Sequence, residues 1–194
     1  MAKLVHIGVA CSSDVKPRPE ALNKAVVFAR KLAEFKDEVA LLTGGGGGLM
    51  TVISKEFSEM GGVVVGVLPL EAEDVPPQHP RWNPYNTIAL KTGMTYQARS
   101  IPLVRSSDSF VVLGGGIGTM VEALLAYAAA KPLVILTGTG YPSDNLKIIA
   151  ENGYFDHKKI IKIIFTEDPI KAAEKAYLLA KEYRRNKQKL WSMR

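Results

Sequence analysis

The chain has 194 residues, 47% of them hydrophobic, which fits one globular domain and excludes a disordered chain. Its single cysteine, Cys11, cannot form an internal disulfide, and no Cys/His cluster has zinc spacing, so no metal site is expected. No apolar run approaches the roughly 20 residues that a membrane helix needs, and the N-terminus lacks the layout of a signal peptide. These features predict a cytoplasmic protein with no membrane partner.

The net charge of +6 is concentrated in a basic C-terminal tail, residues 181–194. Six lysines and arginines and one glutamate give this tail a charge of +5, which leaves about +1 for the rest of the chain. The body is therefore not a basic platform, and nucleic acid is not an expected partner. We interpret the tail as the basic end of a solvated helix, where Lys and Arg suit the helix dipole. Contact with an anionic partner is the alternative.

Apolar runs typical of strands alternate with segments whose apolar residues recur at helical spacing. In chain order, the first half is predicted to contain strand KLVHIGVA, a helix over 19–35, strand VALLT, a helix over 49–60, strand VVVGVL, the proline-rich loop EAEDVPPQHPRWNPYN and the short strand TIAL. The second half continues with a helix over 95–106, strand SFVVL, a helix over 119–130, strand LVIL, a helix over 144–150, strand IIKIIF and a helix from 169 to about 187. Pro102 is expected to bend its helix or to move the helix start towards Ile101.

The pattern of these elements indicates the fold class. Strands that are apolar on both faces, each followed by a helix, are typical of a parallel sheet covered by helices on both sides. No composition shift marks a domain boundary, and no internal repeat is convincing. The sequence therefore predicts an α/β protein with one Rossmann-like, doubly wound domain over residues 1–194.

Two glycine-rich runs follow the second and fifth predicted strands, at residues 44–48 and 114–118. Ligands of an open parallel sheet bind beyond the C-terminal ends of its strands, and both runs fall there and open into a helix. A helix N-terminus suits a phosphate, and glycine lets the ligand approach the backbone. We interpret both runs as phosphate-binding turns; tight strand-to-helix turns without a ligand are the alternative. Because neither run has the P-loop lysine or the dinucleotide fingerprint, a mononucleotide is favoured.

Glu122 has two interpretations from the pattern alone. Thr119 and Glu122 have the T-x-x-E spacing of a capping box, in which the glutamate would bond back to the N–H of the capping residue. The same position would place its carboxylate beside the second glycine turn. A counter-charge is expected from the segment before the fifth strand, from Arg99 or Arg105, unless such an arginine is a surface residue or pairs with Asp108. Sequence order does not choose between the two arginines.

The segments LLTGGGGGLM and AR–SIPLVRSSDSFVVLGGGIGTMVE together resemble the Lonely Guy (LOG), or lysine decarboxylase-like, superfamily. Its members carry a GGGxxGLM loop, an RK pair and PGGxGTxxE, and the resemblance runs from the first strand to about Leu136. It implies a phosphoribohydrolase that needs no cofactor and cuts the N-glycosidic bond of a nucleoside 5′-monophosphate, giving free base and ribose 5-phosphate. It also implies a homodimer or higher homo-oligomer, with which the alanine-rich segment 123–130 is consistent.

The resemblance also assigns site residues. It implies that Arg99 and Glu122 are catalytic, and so selects Arg99 over Arg105. The residues implied to bind the substrate and its phosphate are Ser12, Ser13, Gly45, Gly46, Gly47, Gly48, Met50, Gly115, Gly116, Gly118 and Thr119. This chain departs from the motifs at Gly114, where members have proline, and at Ser100, where they have lysine. Such changes look like the branch of molybdenum cofactor carrier proteins, so a carrier of a nucleotide or a phosphorylated pterin is the alternative function.

The proline-rich loop, residues 71–85, is where we expect ligand selectivity. Trp82 and Tyr85 could stack on a base or pterin, or could simply pack. His79 stands beside prolines and is expected to be an exposed loop residue. A third function, a sensor associated with nucleic acid, would depend on the basic tail.

Overall fold

The structure is a computed structural model that describes residues 4–192, with side chains as far as residue 187. The described residues form one seven-stranded parallel sheet. Its strands are β1 Val5–Cys11, β2 Val39–Thr43, β3 Val63–Leu68, β4 Ile88–Lys91, β5 Ser109–Leu113, β6 Leu133–Leu136 and β7 Ile164–Thr166. They lie in the order β4-β3-β2-β1-β5-β6-β7, and every neighbouring pair is parallel.

Six α-helices and two short 3₁₀ turns connect the strands over the same residues. The helices are α1 Pro19–Ala33, α2 Leu49–Glu59, α3 Tyr96–Ser106, α4 Ile117–Ala128, α5 Leu146–Ile149 and α6 Pro169–Ser192. Apolar side chains of α1, α2 and α6 pack on one face of the sheet, and those of α3, α4 and α5 on the other. The predicted Rossmann-like, doubly wound fold is confirmed. None of the helices in the described chain has the length and apolar character to cross a membrane.

The central strands alternate their side chains between two cores, which is why they read as continuous apolar runs. In β5, Val111 and Leu113 belong to the core under α1, α2 and α6, whereas Phe110 and Val112 belong to the core under α3 and α4. Burial of each such side chain stabilises the fold by about 1.5–3 kcal/mol relative to exposure. Both faces of the sheet are therefore closed around its centre, and only its edges and strand ends remain accessible.

Three elements differ from the sequence predictions. Strand β4 is an edge strand, and its apolar side chains Ile88 and Leu90 are exposed rather than covered by helices. Helix α3 begins at Tyr96 and contains Pro102, so the predicted shift of its start towards Ile101 is wrong, although the proline still removes one helical hydrogen bond. Only the last two residues of IIKIIF lie in β7, because the preceding Ile163 donates its N–H to Gly153 in a loop.

The described part of the basic tail continues α6 and is held to the body. Lys181 pairs with Glu38, and Arg184 pairs with Asp108 and donates to the carbonyl of Leu4. These contacts engage charges that would otherwise be available to an anionic partner. The side chain of Lys189 and all of Arg194, which the sequence analysis counted in the tail, lie outside the described residues.

Candidate functional site

Two adjoining cavities open at the C-terminal edge of the sheet. The larger has a volume of about 670 Å³ and is lined by the end of β1, by Gly44 after β2, and by the first turns of α3 and α4. The smaller has a volume of about 570 Å³ and lies between the first glycine run and the proline-rich loop. The larger lies where the strand order reverses, between β1 and β5, because the loops after these strands diverge there.

A buried ion pair lies on the wall of the larger cavity. Arg99 Nη1 of α3 donates to Glu122 Oε1 of α4 at 3.0 Å, and each side chain is less than one tenth exposed. Ser100 Oγ donates to the same oxygen at 2.9 Å. Arg105, the other candidate, is exposed and does not line either cavity. The structure therefore brings Arg99, and not Arg105, to the glutamate.

The capping-box interpretation of Glu122 is wrong. Helix α4 begins at Ile117, two residues earlier than predicted, and its N-cap is Gly116, with no side-chain cap. Thr119 is consequently a residue of the first turn, and the Glu122 carboxylate bonds to Arg99 and Ser100 instead of to a backbone N–H. The two hydrogen bonds to this carboxylate both end on Oε1, which leaves Oε2 available to a ligand in the cavity.

Burial dominates the electrostatics of this pair. Loss of solvent raises the pKa of Glu122 above that of an ordinary glutamate, while the Arg99 charge and the Ser100 hydrogen bond act in the opposite direction. Burial and the nearby Glu122 charge also raise the pKa of the Cys11 thiol. Cys11 lines the same cavity but stays protonated at neutral pH, so it is not a thiolate nucleophile there.

One atom of the pair lacks a partner. Arg99 Nε is buried and has no hydrogen bond in the described structure. Leaving a buried donor unsatisfied costs about 1–3 kcal/mol, more when the group is charged. Arg99 lines both cavities, so a ligand that spans them could supply the missing acceptor.

The second glycine turn is open on its cavity side. A Cβ added at Gly116 or Gly118 would meet nothing within 4 Å, and both residues line the larger cavity. Among residues 4–192, no backbone carbonyl accepts the N–H groups of Ile117, Gly118 or Thr119. This helix end therefore offers free donors and a positive partial charge to an anion.

The first glycine turn is filled by the chain itself. A Cβ at Gly47 would lie 2.0 Å from the carbonyl oxygen of Pro80, and one at Gly48 would lie 2.6 Å from the backbone of Ser13. The first N–H of α2, from Leu49, already donates to Ser12 O at 2.9 Å. Close packing of two loops therefore explains Gly47 and Gly48 without a ligand, whereas Gly44 and Gly46 line a cavity.

The predicted site residues separate into two groups. Those that line at least one cavity are Ser12, Ser13, Gly46, Gly47, Met50, Arg99, Gly116, Gly118, Thr119 and Glu122. Gly45, Gly48 and Gly115 do not line either cavity and pack against neighbouring parts of the chain. Gly115 still supports the second turn, because its N–H donates to Ser143 Oγ at 3.1 Å.

Several lining residues escaped the sequence analysis. Tyr141 donates its hydroxyl to Asp14 at 2.9 Å and accepts the Arg18 N–H at 3.3 Å, and the Arg18 guanidinium lies 5.3 Å from the centre of its ring. These three residues join the loops after β1 and β6 into one wall of the larger cavity. Tyr141 and Asp14 are 127 positions apart, and no local pattern links them.

The proline-rich loop contributes different residues from those expected. Neither Trp82 nor Tyr85 lines either of the two cavities. His79 and Arg81 line the smaller cavity instead, so His79 is not merely a surface residue. Tyr96, at the start of α3, is the aromatic side chain that both cavities share.

Comparisons with known proteins agree with this architecture. The model of the SLOG cluster4 family matches residues 4–172. A probable cytokinin riboside 5′-monophosphate phosphoribohydrolase of Oryza sativa subsp. japonica is 31% identical over 163 residues, which span 77% of this chain and 66% of the rice protein. Further plant proteins with this activity in their names align over 58–68% of their own length, so the chain spans only part of the length of these relatives.

Solved structures extend the likeness to nearly the whole chain. An X-ray structure from a structural genomics consortium has a TM-score of 0.77 at 32% identity, covering 92% of this chain and 99% of that one. The molybdenum cofactor carrier protein of Chlamydomonas reinhardtii has a TM-score of 0.70 at 26% identity, covering 91% and 98%. The resemblance found in the sequence is confirmed: the chain belongs to the SLOG cluster4 family, within the LOG superfamily and near the molybdenum cofactor carrier proteins.

Proposed function

We propose that the chain hydrolyses the N-glycosidic bond of a nucleoside 5′-monophosphate and releases the free base and ribose 5-phosphate. The observation that carries the proposal is the buried Arg99–Glu122 pair beside the open first turn of α4, in one cavity. The likeness to plant phosphoribohydrolases supports the same chemistry. A hydrolysis of this kind needs water and no cofactor.

The first turn of α4 is the proposed phosphate site. The free N–H groups of Ile117, Gly118 and Thr119 would donate to the 5′-phosphate, and the helix dipole would favour its charge. Ser12 and Ser13, across the cavity, would bind the phosphate or the ribose. Binding energy from this end of the substrate would position its C1′ atom at the ion pair.

Glu122 is the proposed catalytic carboxylate. Cleavage at a ribosyl carbon passes through an oxocarbenium-like state, so a carboxylate beside the ribose stabilises the developing positive charge. Glu122 Oε2, which carries no hydrogen bond from the chain, would orient a water and accept its proton as the water oxygen bonds to C1′. The electron pair of the broken C1′–N bond stays on the base, which takes a proton from solvent as it leaves, and Glu122 then returns the proton of the attacking water to solvent.

Arg99 is proposed to act on both sides of the breaking bond. Its Nη1 hydrogen bond favours the ionised form of Glu122 against the effect of burial, and its unpaired Nε would donate to the departing base. That hydrogen bond would strengthen as negative charge builds on the base, so it would favour the transition state over bound substrate.

The second candidate is a carrier of a phosphorylated pterin. It is favoured by Ser100, which stands where LOG members carry lysine and which donates to Glu122. The likeness to the Chlamydomonas reinhardtii carrier supports it as well. The same phosphate site would serve this function, and only the catalytic step would be absent.

Release of base separates the two candidates. The protein is incubated with AMP, GMP and IMP, and free base is measured by chromatography. Hydrolysis predicts release that Glu122→Gln abolishes, while the exposed-site variant Glu20→Gln, in the first turn of α1, retains it. Tight binding of a phosphorylated pterin without any turnover would instead establish the carrier.

We also propose a cytoplasmic homodimer. Two of the alanines in segment 123–130, Ala123 and Ala126, pack into the core of the subunit and so do not supply a contact surface. An exposed apolar patch on α4 supports the proposal: Ile117, Val121 and Leu124 expose 75%, 38% and 42% of their surface, and the first two also line the larger cavity. Light scattering of the purified protein tests it: a monomer mass at micromolar concentration would overturn it.

A further inference from the structure

The polar side chains that line the smaller cavity are mainly hydrogen-bond donors. Its charged or titratable lining residues are His79, Arg81, Tyr96 and Arg99, and its lining contains no carboxylate. The larger cavity differs, because Asp14 and Glu122 accompany its arginines. The smaller cavity therefore presents mainly donors and suits a ligand group rich in acceptors.

The smaller cavity adjoins the proposed reaction site, and the inference rests on the proposed function. Five residues line both cavities: Ser13, Gly44, Met50, Tyr96 and Arg99. A ligand with its phosphate at α4 and its ribose beside Glu122 would extend past Arg99. Its base would then enter the smaller cavity.

The donors of the proline-rich loop are oriented by hydrogen bonds. His79 Nδ1 accepts the Arg81 N–H at 3.1 Å, which assigns the proton of the neutral ring to Nε2. Arg81 Nη1 donates to the Glu71 carbonyl at 3.2 Å, and the guanidinium lies 5.6 Å from the centre of the Tyr96 ring. Its Nη2 and Nε groups, for which the described chain provides no hydrogen bond, can therefore face a ligand as a planar fork.

The loop itself is fastened to the rest of the site. Asn83 Nδ2 donates to Ser54 Oγ at 3.1 Å, and Asn86 Nδ2 donates to Gly45 O at 3.0 Å. These bonds attach the loop to α2 and to the first glycine turn. Its donors are thus held in place before a ligand arrives, which limits the entropy lost on binding.

We infer that the smaller cavity selects a fused bicyclic base in which a carbonyl oxygen lies next to a ring-nitrogen acceptor. Guanine, hypoxanthine and the pterin ring share this edge, whereas adenine carries an amino donor in place of the carbonyl. An arginine fork matches two adjacent acceptors, and this pairing with the O6 and N7 atoms of guanine is a strong base-specific contact. Against adenine, one donor would face another, and a polar group would remain unpaired.

The experiment measures binding by calorimetry in the Glu122→Gln protein, so that turnover does not interfere. The probes are GMP, IMP, AMP, dihydroneopterin monophosphate and ribose 5-phosphate. We expect GMP and IMP to bind at least about tenfold more tightly than AMP. In Arg81→Gln this preference should fall to within about twofold, with unchanged affinity for ribose 5-phosphate, which lacks a base. Arg105→Gln, at an exposed arginine outside both cavities, is the matched control and should keep the preference.

The outcomes separate this inference from the proposed function. If ribose 5-phosphate does not bind, the phosphate site itself is refuted. If ribose 5-phosphate binds but AMP equals GMP and IMP, or if Arg81→Gln keeps the preference, the base inference is refuted and the phosphate site stands. Tighter binding of the pterin monophosphate than of GMP supports the inference and identifies a pterin, rather than a purine, as the preferred ligand with this edge. His79→Gln, which changes the other loop donor, gives a second test should Arg81→Gln fail to fold.

Discussion

The two glycine turns at the C-terminal edge of the sheet are similar in sequence and different in their surroundings. In the first, a Cβ at Gly47 would lie 2.0 Å from a backbone carbonyl oxygen of the proline-rich loop. In the second, a Cβ at Gly116 or Gly118 would meet nothing within 4 Å. The chain packs on Gly47 in the first turn, whereas Gly116 and Gly118 in the second leave space in the larger cavity.

This difference limits what a glycine cluster can indicate. Glycine permits close approach to the backbone, but the pattern does not say whether a ligand or another loop approaches. Sequence alone indicates a phosphate site at both turns, but only the second turn has the open space that the proposed phosphate site requires. Substitutions in and around the two turns should therefore have different effects on stability and on binding.

The largest effect is expected for Arg99→Met. The Arg99 guanidinium covers the first turn, since a Cβ at Gly44 would lie 2.8 Å from its Nη1. Removing it leaves the Glu122 carboxyl buried without its charged partner, which should lower the free energy of unfolding by about 3–5 kcal/mol at neutral pH. Urea unfolding at pH 7 measures this loss. Arg105→Met, on the same helix but exposed, should change stability by less than about 0.5 kcal/mol, and equal stability of the two variants would contradict the prediction.

Gly47→Ala should destabilise the protein nearly as much. The added methyl would meet the Pro80 carbonyl, which is backbone and cannot rotate away as a flexible side chain could. Overpacking of this kind costs about 1–3 kcal/mol or more. Thermal unfolding, followed by circular dichroism, should show a lower midpoint. An unchanged midpoint would mean that the proline-rich loop does not press on the first turn.

Local patterns were sufficient to predict the sheet, because each central strand is buried on both faces and is therefore a continuous apolar run in the sequence. The exposure of Ile88 and Leu90 in β4 could not be predicted in this way, because it follows from strand order. The contact of Tyr141 with Asp14 depends on the same long-range arrangement. In each case the deciding neighbour is remote in sequence.

The candidate site was predictable only in part for a second reason. The T-x-x-E pattern of Thr119 and Glu122 predicted a cap, but α4 begins two residues earlier, at Ile117. A charged partner from α3 then binds the carboxylate. A local motif was overridden by a stronger tertiary interaction, and only the family resemblance had singled out Arg99 as the partner.

The raised pKa of Glu122 predicts a smaller, pH-dependent effect. The Glu122 carboxyl keeps its proton to a higher pH in the folded protein than in the unfolded chain. The resulting stability is therefore complete below the ordinary glutamate pKa and is lost as pH rises through the folded value. The free energy of unfolding is measured from below the ordinary glutamate pKa to above the folded pKa of Glu122. As pH rises through this interval, it should decline less in Glu122→Gln than in the parent protein. Glu20→Gln, in the exposed first turn of α1, is the control, and a decline that Glu122→Gln leaves intact would contradict the assignment.

Gly118→Ala should have the smallest effect on stability and a clear effect on binding. The residue lies in the first turn of α4 with open space where the methyl would go, and alanine is the better helix former. Stability should therefore change by at most about 0.5 kcal/mol in favour of the variant. The methyl would occupy the position proposed for the phosphate, so affinity for ribose 5-phosphate should fall about tenfold, as measured by calorimetry. Loss of stability in this variant would show that the second turn is packed as closely as the first. Normal binding of ribose 5-phosphate would contradict the phosphate site proposed at the second turn.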